Sequence, residues 1–131
     1  MVSYNSAHCF ARQGALLRAC PHVIVVDNGS DDGSAQQVSR HLPQARVLAL
    51  PRNLGFGAAN NRGLAQVATP FALLLNPDCD MQPQAIAALL EAARRWPDAA
   101  IVAPQLVEAG GGAEVNYRFA LTDWPARGAG A

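Results

Sequence analysis

Leu73-Leu74-Leu75-Asn76-Pro77-Asp78-Cys79-Asp80 ends an apolar run on two carboxylates two positions apart. Like charges held that close repel, so the pattern is costly unless a cation or polar ligand sits beside it. Hard divalent cations take carboxylate oxygens, and Mg²⁺ commonly completes its shell with phosphate oxygens and water. A metal held by one or two acids and a diphosphate would neutralise charge on a departing phosphate. The plainer reading is a solvated turn, with Asp80 near the start of a helix and favoured by its dipole. Cys79, between the acids, is a poor ligand for a hard cation.

Two more clusters could bind a ligand. In Val26-Asp27-Asn28-Gly29-Ser30-Asp31-Asp32-Gly33-Ser34 a carboxylate leaves a β-branched run, where it could accept from a nucleobase N–H or a ribose hydroxyl. An ordinary Asx and Ser turn explains the same residues. In Arg52-Asn53-Leu54-Gly55-Phe56-Gly57-Ala58-Ala59-Asn60-Asn61-Arg62-Gly63 two glycines enter a helix. Backbone can approach a ligand there, and the helix N-terminus offers N–H groups to an anion. The stretch approximates GxGxxG, but Asn60 stands at the third glycine position and the dinucleotide fingerprint fails. A tight turn with no ligand remains an equal reading.

The clusters need elements to hold them. His22-Val23-Ile24-Val25-Val26 is a short β-branched run, and Arg46-Val47-Leu48-Ala49-Leu50, Phe71-Ala72-Leu73-Leu74-Leu75 and Ala100-Ile101-Val102-Ala103 are apolar runs of strand length. Continuous rather than alternating apolar runs suit parallel strands covered on both faces. Helices are expected between them: Ser6 to about Ala19, 34–42, 58–67, and 82–96, where Ile86, Leu89, Leu90 and Ala93 fall at helical spacing behind Pro83. The alternation predicts an α/β fold, three-layer α/β/α with a mostly parallel sheet. Ligands bind such sheets at the carboxyl ends of the strands, where the polar clusters lie.

The chain has 131 residues, the size of one domain, and ten basic against ten acidic residues. Neutral charge argues against a nucleic-acid partner. No apolar stretch approaches the roughly 18–20 residues of a membrane span, so no transmembrane segment is expected. The start shows no basic-then-apolar segment, and Cys9, Cys20 and Cys79 form no CxxC pair. A cytoplasmic protein is the expectation, with peripheral contact at the inner face of the membrane left open. All ten basic residues are Arg, which excludes receiver-type signalling chemistry that needs a Lys. His8, His22 and His41 share no metal-ligand spacing and receive no role. Residues 1–107 are expected to form the compact part, and 108–131 a Gly-rich hinge and loosely ordered tail.

Four segments in order, Val2-Ser3-Tyr4-Asn5-Ser6, the Asp27 cluster, the Gly55 cluster and Asn76-Pro77-Asp78-Cys79-Asp80, resemble family 2 inverting glycosyltransferases of the rhamnosyltransferase-like subgroup. The resemblance implies a GT-A fold, incomplete at its C-terminal side. It implies transfer of a sugar, rhamnose in that subgroup, from a nucleoside diphosphate (dTDP or UDP) donor. The acceptor would be a glycan or lipid-linked hydroxyl, in polysaccharide or cell-envelope glycan synthesis. It places Ser3 and Tyr4 beside the nucleobase, Asp27 and Asn28 on base or ribose, and Gly55 and Gly57 against the nucleotide. Asp78 would face ribose or metal, and Asp80 would hold Mg²⁺ or Mn²⁺. No catalytic base is identified, because Glu91, Asp98, Glu108, Glu114 and Asp123 lie in no family-like context. The chain resembles a donor-binding half, and a non-catalytic nucleotide-sugar-binding module is the alternative.

Overall fold

A computed structural model of the chain describes residues 1–18 and 20–105; the expected hinge and tail lie outside them. Three parallel strands, β1 (Val2–Ser3), β2 (Ile24–Asp27) and β3 (Arg46–Ala49), form a sheet in the order β1-β2-β3. The register sets Val2 beside Val26, Ser3 beside Asp27, and Asp27 beside Ala49. Four α-helices accompany them: α1 (Phe10–Leu17), α2 (Ser34–His41), α3 (Phe56–Leu64) and α4 (Pro83–Arg95).

Neighbouring side chains of a strand point to opposite faces, and β2 shows the consequence. Val25 packs with Phe10 and Leu17 of α1 and Val38 of α2. Val26 packs on the other face with Val2 and with Ala59 of α3. Helices thus cover both faces of the sheet, which is why β2 reads as an unbroken apolar run. Val25, Val38 and Phe10 are fully buried, and each contributes about 1.5–3 kcal/mol by leaving water.

The helices start and stop within a few residues of their expected bounds. The first is split: Ala7–Cys9 is a 3-10 turn leading into α1, and Ser6 makes no side-chain cap bond. Its hydroxyl donates instead to the Tyr4 carbonyl.

Two expected strands are not strands here. Phe71-Ala72-Leu73-Leu74-Leu75 forms no ladder with its neighbours; Leu75 is buried, while Phe71, Leu73 and Leu74 are exposed. A strand with apolar side chains on both faces needs a covering layer on each. Helix α4, which follows it in the chain, buries none of its residues fully. An apolar cavity of about 850 Å³ lies beside the segment, lined by Val2, Val26, Leu73, Leu75, Ile86 and Leu90, and only Leu75 joins the core cluster of Val23 and Val25. Residues 100–103 are likewise unpaired, with Ile101 exposed.

Candidate functional site

The carboxyl ends of β1 and β2 open onto a loop cluster stitched together by side chains. Asn5 takes a left-handed backbone conformation at φ 49°, which Asn tolerates better than most residues. Its amide oxygen accepts the Asp31 N–H at 3.1 Å, and its own N–H donates to Ser30 Oγ at 3.0 Å. The Ser6 N–H donates to Ser34 Oγ at 2.9 Å. Asp32 joins both loops, accepting the Ala7 N–H at 2.9 Å and the Ser34 hydroxyl at 2.6 Å. Those two bonds, the hydroxyl's first, hold its carboxyl below the usual aspartate range.

The Asp27 cluster is tied to the Gly55 cluster. Asn28 Oδ1 accepts the Leu54 N–H at 2.9 Å, which orients its Nδ2 to donate to Asn53 Oδ1, also at 2.9 Å. Asn53 Oδ1 accepts the Gly55 N–H as well, at 2.8 Å. Gly29 makes this approach possible. It has φ +80°, and a Cβ there would stand 2.6 Å from the Arg52 carbonyl carbon.

The acidic loop is held from α1. Gln13, 1% exposed, donates through Nε2 to the carbonyls of Pro77 (2.8 Å) and Cys79 (2.7 Å), on either side of Asp78. Arg12 donates from Nη2 to the Asp78 carbonyl at 2.8 Å and from Nη1 to Asp80 Oδ2 at 3.1 Å. Cys9 lies beneath. Burial pushes its thiol up, with Arg12 opposing and Asp78 adding to the rise.

Between these loops lies a cleft of about 420 Å³. Of the residues expected at a nucleotide, Tyr4, Asn28, Gly55 and Asp78 line it. Ser3 is fully buried, and its Oγ has no hydrogen-bond partner. Asp27 is also buried, and its Oδ1 accepts both the N–H and the hydroxyl of Ser30. Gly57 and Asp80 lie outside the lining, and a Cβ at either Gly55 or Gly57 would meet nothing within 4 Å. Asp80 faces Arg12, with Arg12 Nε 3.1 Å from Oδ1.

The cleft also brings in residues that sequence reasoning passed over. Phe56, at the start of α3, is 59% exposed and lines the cleft with the half-exposed Tyr4. His8 lines it too. An exposed aromatic directly after a helix-entry glycine was a usable signal for Phe56. Nothing local marked Arg12 or Gln13, whose partners lie more than sixty residues away. Glu91 and Asp98, the later acids among the described residues, are exposed and do not line the cleft. No group of three or more His, Cys, Asp or Glu able to hold a metal occurs among the described residues. No helix there is long and apolar enough to cross a membrane.

An N-acetylglucosaminyl-diphospho-decaprenol L-rhamnosyltransferase from Mycobacterium tuberculosis (strains CDC 1551 / Oshkosh and ATCC 25618 / H37Rv) is 38% identical over 93 residues, 63% of this chain and 30% of that protein. The succinoglycan biosynthesis protein ExoO of Rhizobium meliloti (strain 1021) is 31% identical over 98 residues, 71% of this chain and 28% of that protein. The chain therefore spans about 30% of the length of these curated relatives. The family model for glycosyl transferase family 2 matches residues 3–127. With nearly the whole sequence inside that match, and an α/β sheet presenting its polar loops at the strand ends, the chain belongs to glycosyl transferase family 2.

Proposed function

We infer that this chain forms the donor-binding part of a glycosyltransferase that takes a sugar from a nucleoside diphosphate, dTDP or UDP, in cell-envelope glycan synthesis. The observation that carries the reading is the cleft, in a family 2 chain, where Tyr4, Asn28, Gly55 and Asp78 converge at the carboxyl ends of β1 and β2. Tyr4 and Phe56 offer aromatic faces to a base, and aromatic surface in a concave site binds planar ligands well. Rhamnose as the sugar and a lipid-linked glycan as the acceptor rest on the activity for which the mycobacterial relatives are named. Transfer would invert the anomeric centre, and the protein would work in the cytoplasm, at the inner face of the membrane.

The acidic loop suits a divalent cation by its donor chemistry. Two carboxylates are few for a resident ion but enough for Mg²⁺ or Mn²⁺ arriving with a diphosphate. The position already takes positive charge, since a guanidinium lies against Asp80. When bound, the metal would neutralise charge on the leaving diphosphate. Asp80 would hold it, and Asp78, the acid that lines the cleft, would face ribose or share the ion.

Nucleotide titrations separate the two acids. Asp80→Asn should weaken UDP or dTDP binding in the presence of Mn²⁺ while leaving UMP or dTMP binding nearly unchanged. Asp78→Asn should weaken both. Equal losses for monophosphate and diphosphate in Asp80→Asn would overturn its metal role.

A further inference from the structure

The loop 77–80 is gripped by two consecutive residues of α1, Gln13 through backbone carbonyls alone and Arg12 through both the Asp78 carbonyl and the Asp80 carboxylate. Gln13 fixes the backbone from the buried side. Arg12 meets the exposed side, where Nη1 donates to Asp80 Oδ2 at 3.1 Å and Nε lies 3.1 Å from Oδ1. Both oxygens of Asp80 therefore face one cation. A metal ion needs lone pairs of that same carboxylate, and two cations cannot contact it together without repelling each other. We propose that Arg12 is the resident counter-ion of Asp80, which a divalent cation must displace, so that Arg12 sets the metal affinity of the acidic loop. This rests on the metal-holding role inferred above for Asp80.

The exchange tunes rather than blocks. The Arg12 and Asp80 side chains are 51% and 73% exposed, and exposed ion pairs are weak, which limits the effect of removing Arg12 to about two- to five-fold in metal affinity. Gln13 keeps the loop backbone in place when the guanidinium is lost, because its bonds to Pro77 and Cys79 do not involve Arg12.

Mn²⁺ titration of the ¹⁵N-labelled chain in the presence of excess UDP, read as paramagnetic broadening of the amides of residues 78–80, tests this without activity. Arg12→Gln should reach half-broadening at about two- to five-fold lower Mn²⁺ than wild type. Arg12→Lys, which keeps a cation, should stay near wild type, and Asp80→Asn should lose the site. Arg12→Gln titrating like wild type while Asp80→Asn loses the site would overturn the counter-ion role and leave the metal role standing. Broadening absent from residues 78–80 in both wild type and Arg12→Gln would overturn both. Matching amide dispersion in the unliganded variants establishes that each is folded.

Discussion

Asn28 and Asn53 join two loops that a strand and a helix separate in sequence. Asn28 Nδ2 donates to Asn53 Oδ1 at 2.9 Å while Asn28 Oδ1 takes the Leu54 N–H. Asn28→Asp keeps the acceptor and removes the donor, setting a carboxylate against the Asn53 oxygen. It should cost about 1–3 kcal/mol, the range for a buried hydrogen bond left unmade. Urea unfolding of wild type and variant measures it, and nucleotide affinity should fall in parallel because Gly55 hangs from the same Asn53 oxygen.

Gln13 is the buried side chain that positions the acidic loop. Gln13→Leu keeps the volume and strands the carbonyls of Pro77 and Cys79. A loss of about 1–3 kcal/mol is expected, with amide shifts at residues 77–80 larger than elsewhere. Wild-type stability in the leucine variant would mean that water serves the two carbonyls equally well.

Gly29 and Gly33 share a left-handed backbone, φ +80° and +82°, but differ in surroundings. A Cβ at Gly33 would meet only the end of the Gln36 side chain at 3.7 Å, so Gly33→Ala should cost about 1–2 kcal/mol of backbone strain. At Gly29 the Cβ would collide with Arg52 backbone at 2.6 Å. Gly29→Ala must therefore also push the Asn53 loop away. It should be the more destabilising of the two by thermal denaturation, and the one that loses nucleotide binding.

Asp32 couples the loop cluster to pH. Its carboxyl is held below the ordinary value of 3.8 by the Ser34 hydroxyl and the Ala7 N–H. A depressed carboxylate contributes stability above its unfolded pKa, and that contribution is lost as pH falls through the folded value. Asp32→Asn should lower the urea midpoint near neutrality and show a smaller further fall between about pH 5 and pH 3 than wild type. Parallel pH profiles for the two proteins would contradict this.

The sheet and helices were legible where one local pattern decided them. Val25 and Val26 sit in a β-branched run ending at Asp27, and the helix behind Pro83 shows its spacing over four positions. Phe71 to Leu75 read equally well as a strand, yet pairing depends on what covers both its faces, which no local pattern reports. Within the site, Asn28, Gly55 and Asp78 were visible as members of polar or turn clusters after expected strands, and Tyr4 only through the family resemblance. Gln13 and Arg12 were not, because their importance lies in contacts 64 to 68 residues away. The roles of Asp27 and Ser30 were visible only as a cluster, and their mutual hydrogen bonds took the fold to show.

The central claim is that the cleft takes a nucleoside diphosphate together with a divalent cation. Thermal denaturation of the chain with UDP or dTDP, with Mn²⁺, and with both together tests it most directly. Ligand that binds only the folded state stabilises by RT ln(1 + [L]/Kd), about 2.7 kcal/mol at a hundredfold excess over Kd. The expected result is a clear rise in midpoint with nucleotide and Mn²⁺ together, and much smaller shifts with either alone. An unchanged midpoint at millimolar nucleotide and Mn²⁺, in a chain whose unfolding is cooperative, would contradict the account.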